Sequence, residues 1–317
     1  MTKRLAALAA LLALLAGGCA KAQTGWITDV DEASSLADRT KKDLAIFFTG
    51  SDWDDQSKDM TASVFTEEFF KTTSKDFVLC NVDILRDDSA ITAEVNETRQ
   101  KAAADYGVKA LPYVVLATAE GDLYGSSTIP KEIRTVEAMA DFLSSFMDAR
   151  EKLVGLKRKI EKSKGAERAK NIDTFIEAAD PSQRERYVDL IREVPDLDAD
   201  GSAGLRGKYQ LQVAYLDAIE HYKKGEHAKA GERFKTIAEG GTLNPAQTQE
   251  AWYMCAYMYA MSRSVPTDQI VAWLEMALNA DPENQGAAQI KKAIVQVKAK
   301  AEADKKADAE KPTDGPK

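Results

Sequence analysis

Short apolar runs alternate with amphipathic stretches along the first half of the chain. Val30, Ala33 and Ala37 fall on one helical face. The run Leu44-Ala45-Ile46-Phe47-Phe48-Thr49, closed by Gly50, then has the pattern of a strand buried on both sides. Residues 54–73 are predicted helical, because Met60, Val64 and Phe69 are spaced for one face. Phe77 to Val82 predicts a second buried strand and 90–105 another helix. Pro112 opens the run Tyr113 to Ala117, and Glu120-Gly121-Asp122 turns it back into Leu123-Tyr124-Gly125, which is a hairpin pattern. A helix from about Lys131 carries Val136, Met139, Phe142, Leu143 and Phe146 on one face and is expected to close the sheet.

The second half has no strand signal. The segment Tyr222 to Ala230, interrupted at Gly225, reads as a turn into a helix continued by Phe234 and Ile237. Trp252, Ala256 and Tyr259 mark the next helix, Leu274 and Ala277 one that ends at Asp281-Pro282, and 286–298 a final covering helix. Residues 150–194 are expected to add a further helical pair. The expected layout is a signal over 1–22, an α/β domain over 26–148, a helical domain over 150–303 and a solvated tail over 304–317.

The first residues read as an export signal. Lys3 and Arg4 precede an apolar run, Leu5 to Ala16, too short to span roughly 30 Å of hydrocarbon as a helix. The run ends Leu15-Ala16-Gly17-Gly18-Cys19, which resembles a bacterial lipoprotein signal. That resemblance implies lipidation of Cys19 and anchoring in the cell envelope, facing the periplasm. Ala20 rather than Asp after the cysteine points to the outer membrane over the inner. Ala20-Lys21-Ala22 offers a competing cleavage site, which would leave a soluble periplasmic or secreted protein.

Composition removes several classes. Of 317 residues 44% are hydrophobic and 30% charged, so most of the chain can bury a core. The formal charge of −8 has the wrong sign for gripping phosphate backbones, so nucleic acid is not an expected partner. Three cysteines make no disulfide framework, and two histidines leave little for zinc. No cofactor or metal is expected. Asp52, Asp54, Asp55 and Asp59 read as helix-start carboxylates rather than a metal cluster. Asp196-x-Asp198-x-Asp200-Gly201 has the opening of a calcium loop, but Gly207 stands where the bidentate Glu belongs, so an acidic turn is expected.

Phe47-Phe48-Thr49-Gly50-Ser51-Asp52-Trp53, Val64-Phe65, Val82-Asp83 and Tyr106-Gly107-Val108-Lys109-Ala110-Leu111-Pro112 together resemble the thioredoxin family, in its exported branch. The resemblance implies a thioredoxin-like α/β fold, a cis Leu111–Pro112 bond, and a peptide groove at Trp53, Asp54, Ser57, Leu111 and Pro112. Where the family carries Cys-x-x-Cys, this chain has Asp54 and Ser57. Thiol–disulfide exchange needs a thiolate and a resolving thiol, and neither residue supplies one. Cys80 and Cys255 read as small buried residues. The helical half resembles tetratricopeptide repeats, which hold peptides in a concave face. The expected fold class is therefore an α/β thioredoxin-like domain followed by an all-α helical-hairpin domain. The expected function is a redox-inactive, non-catalytic envelope lipoprotein that binds proteins or peptides. The alternative is a tetratricopeptide-type scaffold for an outer-membrane or secretion assembly.

Overall fold

The apolar run becomes strand β1 (Asp43–Thr49), buried at every residue. A strand covered on both faces also needs both edges paired. β2 (Phe77–Asp83) runs parallel along one edge, β3 (Tyr113–Ala117) antiparallel along the other, and β4 (Leu123–Thr128) antiparallel outside β3, giving the order β2-β1-β3-β4. The structure, a computed structural model, describes residues 25–309 except 88 and 90, with side chains through Ala303. The expected signal, Cys19 and the end of the chain from 310 lie outside the described residues.

Helix α1 (Val30–Thr40) covers one face of the sheet, with Ala33 and Ala37 against Leu44, Ile46 and Phe48. On the other face Phe47 meets an aromatic cluster formed by Trp26, Phe65 and Phe69, with ring centroids 5.3–6.0 Å apart around Phe47. Buried Phe47, Phe65 and Phe69 each contribute about 1.5–3 kcal/mol by leaving water. Just after Trp26, Ile27 lies beside β2 and bridges to Cys80 in parallel register.

Residues 54–73 form two helices rather than the single one expected: α2 (Asp55–Ser63) and α3 (Glu67–Thr73). The apolar spacing is unbroken, but Thr66 accepts the Phe69 N–H as an N-cap and starts a new helix. α4 (Ala93–Asp105) starts behind the Thr92 cap. α5 (Val136–Ser144) is capped by Thr135, five residues after the expected start at Lys131. Residues 129–135 are instead a turn held to the sheet by the Ile129 N–H donating to the Pro112 carbonyl at 2.9 Å.

α6 (Met147–Lys162) docks its first turn on the sheet: the Arg150 fork donates through Nε and Nη2 to both oxygens of buried Asp43. Two compact units divide after Gly155, with Ala178–Glu185 grouped with the first. The second unit holds α7 (Gly165–Ala178, its last residue excepted), α8 (Val188–Leu197), α9 (Arg206–Lys223), α10 (His227–Glu239), α11 (Pro245–Ser262), α12 (Thr267–Ala280) and α13 (Ala287–Ala309). α13 extends into the segment expected to be a tail. α9 through α13 pack around Phe234, Trp252, Cys255, Trp273 and Leu274. Gly231 permits close approach here, since a Cβ on it would lie 2.6 Å from the Tyr259 ring, itself 4.7 Å from Trp273.

The acidic turn before α9 is built on one carboxylate. Asp198 is fully buried and accepts the backbone N–H groups of Ala203, Leu205 and Arg206 at 2.7–2.9 Å. Burial alone would raise its pKa, but these three donors hold it below the ordinary carboxylate value. One carboxylate thus holds three backbone N–H groups of the turn together.

Candidate functional site

The sheet brings the groove residues together. Because β1 and β3 are antiparallel, with Phe48 opposite Tyr113, the loop leaving β1 lies beside the Leu111–Pro112 segment entering β3. The Leu111–Pro112 bond is cis, as the family resemblance implies. The loop Gly50–Asp54 is tightly folded: the N–H groups of Trp53 and Asp54 both donate to the Gly50 carbonyl, at 3.1 and 2.7 Å. A Cβ on Gly50 would meet the Trp53 indole at 2.8 Å, so only glycine admits the indole there.

Asp54 is the N-cap of α2. Its Oδ2 accepts from the Ser57 N–H and from the Ser57 hydroxyl, both at 2.7 Å. Ser57 is fully buried, and its Oγ accepts the Gly50 N–H at 3.1 Å. The two positions that align with a dithiol are therefore joined by a hydrogen bond between a carboxylate and a hydroxyl. The other acidic residues nearby have separate tasks. Asp52 accepts the backbone N–H groups of Arg86 and Asp87, and Asp55 pairs with Lys58 at 3.4 Å. Trp53 donates from Nε1 to the Ile84 carbonyl at 2.7 Å and carries the Arg86 guanidinium over its ring at 4.3 Å.

A cleft of about 540 Å³ opens here, lined among others by Trp53, Asp54, Asp59, Leu111, Lys131 and Arg134. Three of the five sequence-predicted groove residues, Trp53, Asp54 and Leu111, face it. Ser57 and Pro112 are buried and do not line it. Leu111 is half-buried, and neither its N–H nor its carbonyl has a hydrogen-bond partner among the described residues. The second wall, made by Lys131, Ile133 and Arg134, falls in the stretch that the apolar spacing predicts as helix, so the sequence pattern does not point to it. Thr135 followed by Val136 was the available sign that the helix starts later.

Cys80 and Cys255 are free and buried, and burial pushes both thiols up to about 12. Neither lines the cleft. In the second unit His221 Nδ1 lies 2.8 Å from Glu226 Oε2. Trp252 and Trp273 are core, whereas Tyr257 is exposed.

A family model described as an uncharacterised protein C-terminal domain matches residues 205–303, which span α9 to α12 and part of α13. A curated protein of Treponema pallidum (strain Nichols), named as an uncharacterized protein, is 28% identical over 277 residues, covering 87% of this chain and 91% of that protein. A solved structure of a DsbH oxidoreductase is 23% identical, covering 39% of this chain and 82% of that one, with a TM-score of 0.34.

Proposed function

We propose that this protein is a non-catalytic binding protein of the cell envelope, which captures an extended protein segment in the cleft beside Leu111. The observation that carries this reading is the pairing of two features in one cleft. An unpaired backbone edge at Leu111 can take a strand-like ligand, and the neighbouring Asp54–Ser57 pair offers no sulfur for exchange. A mobile segment can add its own N–H and carbonyl to Leu111 while its side chains meet Trp53 and the charged walls. We further propose that Cys19 is the lipidated first residue of the mature chain. Residues 20–26 would then tether the protein over at most about 25 Å before Ile27 joins the sheet. Mass spectrometry of the mature protein is expected to find Cys19 at the N-terminus. An N-terminus at Gln23 would overturn the anchor.

The second reading, a tetratricopeptide-like scaffold for an envelope assembly, is favoured by the exposed Ile219 and Tyr222 on α9 and Tyr257 and Met261 on α11. The two readings separate in cells. With a photo-crosslinking residue at position 63, exposed on the cleft lining, the cleft reading expects Trp53→Ala with Leu111→Gly to lower the adduct yield at least several-fold. It expects Tyr222→Ala with Tyr257→Ala to leave that yield unchanged. The opposite pattern would transfer the partner to the helices.

A further inference from the structure

The cleft beside Leu111 has walls of opposite charge. On one side α2 presents Asp55 and Asp59, both exposed. On the other, the 129–135 turn presents Lys131, Ile133 and Arg134, with Trp53, Met60 and Leu111 between the walls. The turn is fixed at several points: Ile129 N–H to the Pro112 carbonyl, Ile133 N–H to the Pro130 carbonyl at 3.1 Å, and Gln56 Nε2 to the Ile129 carbonyl at 2.9 Å. Its cationic heads are unspent. Arg134 uses only Nε, on the Lys131 carbonyl at 3.2 Å. Neither its terminal nitrogens nor Lys131 Nζ has an ion-pair or hydrogen-bond partner among the described residues. Most exposed lysines and arginines are merely solvated. These two differ in lining the same cleft as an unpaired backbone edge.

We propose that Lys131 and Arg134 form a carboxylate-recognising wall, so that the ligand is an extended peptide carrying an acidic group beside the residue that pairs with Leu111. This rests on the peptide-binding reading of the cleft. Adjacent side chains of an extended strand point to opposite sides. A carboxylate directed at Arg134 can accept a forked pair of bonds, whereas one placed a residue earlier or later meets Asp55 and Asp59. The site therefore favours a single acid with neutral or basic neighbours over a run of acids.

The test uses the full chain and three labelled eight-residue peptides of valine and threonine, read by fluorescence anisotropy. One has a central Glu and an amidated end, one a central Gln and an amidated end, and one a central Gln and a free carboxylate. The wild type is expected to bind the Glu peptide at least ten-fold tighter than the amidated Gln peptide, with the margin shrinking as salt is raised. Lys131→Gln with Arg134→Gln should reduce that margin below two-fold, with the larger loss falling on the Glu peptide. Both positions are exposed, and circular dichroism checks that the variant stays folded. If the free-carboxylate peptide matches the Glu peptide, the wall also reads chain ends. If it matches the amidated Gln peptide, the wall reads side chains, and either result supports it. Equal binding of the Glu and amidated Gln peptides would overturn the wall and leave the groove standing. No binding by any of the three would remove both.

Discussion

Converting Asp54 and Ser57 together to cysteine is expected to raise insulin disulfide reduction at least ten-fold above a wild-type rate that equals the reagent blank. A cysteine at 54 would sit where Asp54 caps α2, with the Ser57 N–H and the positive end of the helix beside it. That environment favours a thiolate. Position 57 is fully buried one turn further on, shielded as a resolving thiol needs to be. Wild-type turnover above that of a Cys80→Ser, Cys255→Ser control would sink the non-redox reading. The single change Asp54→Ala removes the cap and leaves the buried Ser57 hydroxyl without its acceptor, so it should destabilise the first unit by about 2 kcal/mol. Thermal denaturation measures that loss. A double-cysteine variant that folds but stays inert would mean that the loop no longer holds exchange geometry.

The second large effect lies in the helical unit. Asp198→Ala should destabilise it by about 3 kcal/mol, because three backbone N–H groups lose a charged acceptor at once and each such bond contributes about 1.5–3 kcal/mol before water partly compensates. Asp198→Asn keeps an acceptor without the charge and should recover part of the loss. The pH dependence has a definite sign. The carboxyl's folded pKa is depressed relative to its ordinary value of 3.8, so its contribution is fully present above about that pH and is lost as pH falls through the folded pKa. The acid limb of the wild-type stability curve should flatten in Asp198→Ala. A stability equal to wild type at neutral pH would show that water replaces the carboxylate at no cost.

The strands were legible because a strand buried on both faces must be continuously apolar, and 44–48 and 77–80 are apolar at every position. β3 and β4 followed from the Gly121 turn between them. The helices were legible as faces but not as bounded elements. Met60, Val64 and Phe69 keep one periodicity through a break made by Thr66, and Val136 to Phe146 project backward to Lys131 across a cap at Thr135. Caps are single hydrogen bonds and leave no mark on the hydrophobic pattern. This is also why the site was half-read. Trp53, Asp54 and Leu111 came from a motif that is contiguous in sequence on each side of the cleft. Lys131 and Arg134 reach it only through the return of β4 past β3, a contact that exists in the register and not in the residues themselves.

The hydrogen bond between Asp54 and Ser57 also sets a clock. A dithiol site holds its client through a covalent bond that ends when the second sulfur attacks, so the duration of contact is decided by chemistry. A carboxylate and a hydroxyl provide no such latch, so on the proposed reading occupancy of this cleft would obey dissociation alone. At a Kd of about 1 μM and an association rate of about 10⁶ M⁻¹ s⁻¹, a bound segment would leave in about a second. Contact would then be renewed by concentration rather than by an electron donor, and a two-dimensional membrane surface is a setting in which a short-lived contact is readily renewed.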